Sequence, residues 1–255
     1  MPALRAAVRL SLLVVTGLIG VILQRAVLFF SRGDAAFIIP NIWHRFVCAV
    51  TGIRIEVEGQ PVRDRQVLYI ANHLSYLDIS VLTATAPASF VSRADVSSWP
   101  VAGLLARLQQ TVFISRNRAD VLYARDGIAQ AIASGRRLII FAEGTSSDGS
   151  CVLPFKSGFF GVAVDGRLPV QPVTLSLVAA DGRPAKDAAT RDIYAWHGDM
   201  TFPPHFLRFL RSKGARLKLT FHPPRDAAEY SDRKALCADC HNDVTRGLEA
   251  LAQAA

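Results

Sequence analysis

Asn72-His73-Leu74-Ser75-Tyr76-Leu77-Asp78 sets an imidazole and a carboxylate five residues apart, directly after the strand-like run Val67–Ala71. Histidine titrates near neutral pH, and a carboxylate bonded to one ring nitrogen fixes its tautomer, so such a pair can serve as a general base. Five residues turn through about 500° of helix, or about 140° around the axis, which keeps the two side chains off a common helix face. They can meet only if His73 lies in a loop and Asp78 in the first turn of the helix that follows. A purely structural reading competes, because Ser75-x-x-Asp78 also has the capping spacing of a helix start, with an acid near the positive end of the dipole.

Other chemistries lack their usual residues. Gly144-Thr145-Ser146-Ser147-Asp148-Gly149-Ser150 has the two glycines of a phosphate-binding loop but not its lysine. There is no Gly-x-Ser-x-Gly elbow, no Gly-x-Gly-x-x-Gly and no His-Glu-x-x-His, so serine hydrolase, dinucleotide and zinc-peptidase readings lose their simplest support. Cys237-Ala-Asp-Cys240-His241 matches the haem-attachment spacing, but Leu236, Cys240, Val244 and Leu248 fall at helical spacing and no second cysteine pair completes a zinc site. We read it as one side of an amphipathic C-terminal helix and expect no metal site.

The elements that must position the histidine and aspartate alternate along the chain. Strand-like runs occur at Ile53–Glu58, Val67–Ala71, Ser89–Ser92, Thr111–Ser115, Arg137–Phe141, Val170–Val178 and Arg216–Phe221. Helix-like segments occur near Leu77–Thr85, Val101–Leu108, Ala119–Ser134, Ser157–Asp165 and Ser231–Gln253. This order predicts a mixed α/β fold with a largely parallel sheet covered by helices, and puts chemistry where strands give way to loops. Ala179–Thr190 reads as an exposed loop, and residues 52–255 as one domain.

The 255 residues carry 29 basic and 21 acidic side chains, a formal net charge of +8, with 51% hydrophobic residues and a mean hydropathy of +0.25. That composition excludes disorder and collagen-like or coiled-coil architectures. A basic, apolar chain suits an anionic membrane surface or nucleic acid, and the N-terminus favours the membrane. Leu10 to Leu23 is uncharged, Arg5 and Arg9 precede it, and apolar character resumes after Gln24-Arg25 as far as Phe30. A second apolar stretch, Ala35 to Val50, surrounds Pro40-Asn41. Residues 1–51 are therefore expected to form two short membrane-anchoring helices, a re-entrant or interfacial hairpin fitting as well as a span. A signal peptide has the same basic start and apolar run, but no small-x-small cleavage site follows Leu23.

Beyond the histidine block, Phe113-Ile114-Ser115-Arg116, Phe141-Ala142-Glu143-Gly144-Thr145-Ser146-Ser147 and Leu168-Pro169-Val170-Gln171-Pro172-Val173 follow in order, with Leu153-Pro-Phe-Lys156-Ser-Gly between the last two. In these four ordered blocks, over residues 72–173, the sequence resembles the glycerolipid acyltransferases of the 1-acylglycerol-3-phosphate acyltransferase type. The first block of that family is Asn-His-x-x-x-x-Asp, matched by Asn72, His73 and Asp78. The second usually opens with glycine, where this chain has Gln110.

The resemblance implies that His73, oriented by Asp78, takes the proton from a lipid hydroxyl as it attacks an acyl thioester. It implies further that Glu143, Gly144 and Thr145 line the acceptor site, and that Arg116 and Lys156 pair with an anionic head group. No organic cofactor or metal is implied: acyl carrier protein or coenzyme A brings the acyl group as co-substrate. The expected partners are membrane lipids and that thioester, not nucleic acid, and the expected location is the inner membrane with the catalytic domain facing the cytoplasm.

Ser146 departs from the family's third block, which usually carries arginine there. Losing a charge-assisted bond worth about 1.5–3 kcal/mol weakens the case for a phosphate-bearing acceptor. Glu-Gly-Thr-Ser-Ser-Asp-Gly followed by Leu-Pro-Phe-Lys resembles the bacterial branch that acylates lyso-ornithine lipid, an aminolipid without phosphate. That acceptor is favoured, with lysophosphatidate the alternative. From a different class comes a non-enzymatic binder of anionic lipid, built on Arg208, Arg211, Lys213, Arg216 and Lys218 as one interfacial helix with Phe206, Leu207, Phe209 and Leu210.

Overall fold

Strand β2 (Leu68–Ala71) is apolar at every position because both faces of the central sheet are covered. The computed structural model describes residues 1–31, 33–114 and 121–254. Its sheet runs β1 (Ile53–Glu58), β8 (Ala215–Phe221), β6 (Pro169–Ala180), β2, β5 (Leu138–Phe141), β3 (Ser89–Arg93), β4 (Val112–Ile114), with short β7 (Arg183–Pro184) and β9 (Arg225–Asp226) also paired to β6. Along that path only β6 and β8 are antiparallel, so the sheet is largely parallel as the alternation of elements required.

Side chains alternate across the pleat. Tyr69, Ala71 and Ile139 enter a core closed by α2 (Ile38–Thr51), α3 (Asp78–Thr85) and α8 (Phe202–Arg211), through Cys48, Leu82 and Phe209. Leu68, Ile70, Leu138 and Ile140 enter the opposite core, closed by α5 (Val121–Ala133), α6 (Gly161–Gly166) and α9 (Arg233–Ala254). Cys237 and Cys240 belong to this second core, and His241 meets the Phe155 ring edge-on at 5.1 Å. Among the described residues no group of three or more His, Cys, Asp or Glu side chains is arranged to hold a metal.

Three expectations are corrected. Residues 1–51 do form two helices, but the first is not short and the second is not broken at Pro40-Asn41. Helix α1 runs unbroken from Pro2 to Phe30, and α2 begins only after a 3-10 turn at Gly33–Phe37. Gln24 interrupts nothing because its buried amide donates to the carbonyls of Ala36 (2.8 Å) and Leu108 (3.0 Å). Pro40 falls in the first turn of α2, where a missing N–H loses no helical bond.

Ala179–Thr190 is not an open loop either. Asp181 and Gly182, both at positive φ, make the two-residue turn of a hairpin between β6 and β7, and α7 (Ala188–Arg191) follows. The basic run from Arg208 to Lys218 is split between α8 and β8, and α1 packs against α8 as well as against α4 (Ala102–Leu108). Arg216 and Lys218 face Glu56 and Glu58 on β1 at 3.7 and 3.0 Å, so no single interfacial helix carries the five charges.

Candidate active site

Strands β2 and β5 are parallel neighbours with Ala71 opposite Phe141. His73 and Glu143 each lie two residues past that pair, so the register alone delivers them side by side at one end of the sheet. The His73 backbone N–H donates to Glu143 Oε2 at 3.3 Å, and the Leu153 N–H to Oε1 at 3.0 Å. On the other flank Asn72 and the Leu175 backbone exchange two bonds of 2.9 and 2.8 Å, locking the loop to β6. The Ser147 N–H donates to the His73 carbonyl at 2.9 Å and closes the loop from the third side.

Asp78 opens α3, and from its first turn the carboxylate reaches back into the loop. His73 Nδ1 lies 2.8 Å from Oδ2, which also accepts the N–H groups of Leu74 (2.7 Å) and Ser75 (2.9 Å). A carboxylate can only accept here, so Nδ1 carries the proton and Nε2 is the nitrogen free to take one. One oxygen thus bonds both the ring and two backbone N–H groups, while Leu77 rather than Ser75 stands at the N-cap of α3 and no side chain caps it. Asp78 is 0% exposed while the His73 side chain keeps 19%, leaving the ring open on one side. Phe141 stacks on the imidazole at 3.8 Å, and Phe90 stacks behind Phe141.

The other predicted residues divide. Glu143 is buried with both oxygens engaged by backbone N–H groups, so it braces the loop under His73. Burial pushes its carboxyl up to about 8, with the Asp78 charge adding to the rise and the N–H bonds of Leu153 and His73 opposing it. Gly144 has φ +69, and a Cβ there would fall 2.4 Å from Lys156 Nζ, because the lysine lies across the glycine. Thr145 and Lys156 are exposed beside it. Arg116 lies outside the described residues.

Two participants escaped the sequence reading. The Tyr194 hydroxyl donates to Asp78 Oδ1 at 2.8 Å, and the Trp196 backbone N–H donates to the Leu74 carbonyl at 2.8 Å. Neither has a local signal, since both approach the site from more than a hundred residues along the chain. Burial, reinforced by the Asp78 charge, keeps the Tyr194 phenol protonated.

The acyltransferase family model matches residues 54–176. A lyso-ornithine lipid O-acyltransferase of Rhizobium meliloti is 37% identical over 204 residues, covering 77% of this chain and 70% of that protein. The chain belongs to the acyltransferase family. A lyso-ornithine lipid O-acyltransferase of Brucella abortus is 35% identical to this acyltransferase over 83% of the chain and 82% of the relative. The crystal structure of the 1-acyl-sn-glycerophosphate acyltransferase PlsC from Thermotoga maritima superposes with a TM-score of 0.72 at 20% identity over 98% of both chains, a likeness of fold. The acyltransferase is membrane-associated: α1 is long and apolar enough to cross a bilayer, and Leu18, Ile22, Phe29 and Phe30 on it are exposed.

Proposed function

We propose that this acyltransferase moves a fatty acyl group from an acyl thioester to the free hydroxyl of a lyso-lipid, with lyso-ornithine lipid as acceptor and His73 as general base. The single observation that carries the mechanism is the 2.8 Å bond from His73 Nδ1 to a buried carboxylate, which leaves Nε2 as the ring nitrogen that can accept a proton. Nε2 takes the hydroxyl proton as the oxygen attacks the thioester carbonyl. The tetrahedral intermediate then expels the thiolate, the C–S bond breaks, and the imidazolium returns its proton to the leaving sulfur. Asp78 stabilises the imidazolium in between. The step is redox-neutral and forms no acyl-enzyme, so its co-substrate is the thioester of acyl carrier protein or coenzyme A, without a separate cofactor or metal.

Gly144, Thr145 and Lys156 line the head-group side, with Glu143 behind them shaping the loop. The choice of acceptor is supported by Ser146 in place of arginine and by the two lyso-ornithine lipid O-acyltransferases among the relatives. Helix α1 is bonded to the body near its start, through Arg5 and Arg9, and again at Gln24, about 29 Å along its axis. This arrangement favours an anchor lying along the domain and dipping its outer face into one leaflet of the inner membrane. The catalytic domain is then on the cytoplasmic side, where acyl thioesters are made.

Transfer from a labelled thioester to a panel of lyso-lipids, with wild type beside His73→Ala and Asp78→Asn, tests this reading. Both variants should lose about 10²–10⁴ in rate while keeping the fold. A strong preference for lysophosphatidate would replace the proposed acceptor, and full activity in His73→Ala would remove the general base.

A further inference from the structure

We propose that Tyr194 is a positioning residue for the His73–Asp78 pair, its hydroxyl holding the second oxygen of the carboxylate and so tuning how firmly Asp78 grips the protonated imidazole. The inference rests on the general-base reading above. Among the described residues Asp78 accepts four hydrogen bonds, and the three on Oδ2 all come from residues 73–75 of its own loop. The fourth, from Tyr194 to Oδ1, is the one that comes from a distant element. It pins the carboxylate against rotation about its Cβ–Cγ bond and draws charge toward the oxygen that does not face the histidine.

The phenol is itself held by a strap, residues 187–197, tied down at several points. Arg191 pairs with Asp148 at 2.8 Å and the Trp196 N–H bonds the Leu74 carbonyl, while within the strap Asp187 caps α7 by accepting the Thr190 N–H at 2.9 Å. The Ser146 hydroxyl donates to the Trp196 carbonyl, and His205 of α8 donates to the Ala195 carbonyl at 3.0 Å. The strap therefore joins the histidine loop, the Gly144–Ser150 loop and α8, and presents one hydroxyl at its centre. A packing role against Phe209, whose ring lies 6.0 Å away, would be filled equally well by phenylalanine. The ionisable groups facing the pair are Glu143 from the loop after β5, Cys48 from α2, and Tyr76 from the histidine loop, the last bonded to His205 of α8 at 3.0 Å.

Without the phenol, Asp78 concentrates more charge toward His73 and the imidazole stays protonated to higher pH. Tyr194→Phe should therefore lower kcat about tenfold per folded molecule, leave KM within about twofold, and move the acid limb of kcat/KM upward by about half a pH unit. In an Asp78→Asn background the same change should cost little more, because the two residues act as a unit. 3-Fluorotyrosine placed at position 194 keeps the ring while acidifying the phenol, and should move the limb the opposite way even if Tyr194→Phe fails to fold. An unmoved limb in the fluorotyrosine protein, or full additivity with Asp78→Asn, would reduce Tyr194 to packing. Full transfer by His73→Ala is a distinct result, which would sink the base and this inference together.

Discussion

Ser146 spends its hydroxyl on the carbonyl oxygen of Trp196, at the position where the family resembled by the sequence usually carries arginine. The position is thus turned to internal tethering and offers no cation to an acceptor. Ser146→Arg should raise kcat/KM for lysophosphatidate relative to lyso-ornithine lipid by about ten- to a hundredfold, since a charge-assisted bond to phosphate becomes available. Competition between the two lyso-lipids in one assay reads the ratio directly, and an unchanged ratio would mean that Ser146 does not face the head group.

Asp78 bears on stability apart from the catalytic role proposed for it. Asp78→Ala strands the N–H groups of Leu74 and Ser75 and the Tyr194 hydroxyl in a buried setting. Each lost partner costs about 1–3 kcal/mol, so unfolding free energy should fall by several kcal/mol, well beyond the effect of Asp78→Asn, which keeps an acceptor oxygen. Urea unfolding in detergent compares the two.

Glu143 links stability to pH with a definite sign. Its carboxyl titrates at about 8 in the folded chain, above the ordinary carboxylate range because it is buried. The unfolded chain loses this proton first, so between the ordinary value and about 8 the folded state binds more protons and stability falls as pH rises. Glu143→Gln ends that loss but can accept only one of the two N–H bonds. The variant should melt below wild type at pH 5, with the gap narrowing toward pH 8. A gap independent of pH would show that Glu143 is ionised throughout.

The anchor helix depends on two arginines. Arg9 donates to the carbonyls of Leu210 (3.0 Å) and Ser212 (2.8 Å), and Arg5 to that of Ser212 (3.0 Å), at the C-terminal end of α8 where carbonyls lack helical partners. Arg5→Ala with Arg9→Ala should weaken the seating of α1 by about 1–3 kcal/mol. Faster hydrogen exchange over residues 2–12 and 208–214 would register it, and unchanged exchange would place the seating elsewhere, at Trp43 against Gly17 and Gly20.

Most strands were readable because each buried one, such as Leu68–Ala71 or Leu138–Phe141, is a short apolar run bounded by polar or turn-forming residues. Misreadings arose where a local cue had two meanings. Asp181-Gly182 is a hairpin turn that composition alone presents as a loop, and Pro40-Asn41 looks like a helix break until Pro40 falls in the first turn of α2, where no helical bond needs its N–H. The basic run 208–218 has no acid in it, yet its later members find theirs on β1, which pairs with β8 from far along the chain.

By itself the sequence determined the fold class and the family, through the order of short runs along the chain, and the loop that carries His73 and the helix start that carries Asp78, through residues close together. Only the tertiary structure decided that Glu143 faces inward to His73, that Tyr194 completes the carboxylate shell, and that α1 stays docked along its length. These depend on strand register and on a strap returning from beyond residue 186, and long-range pairing of that kind leaves no pattern in any local window.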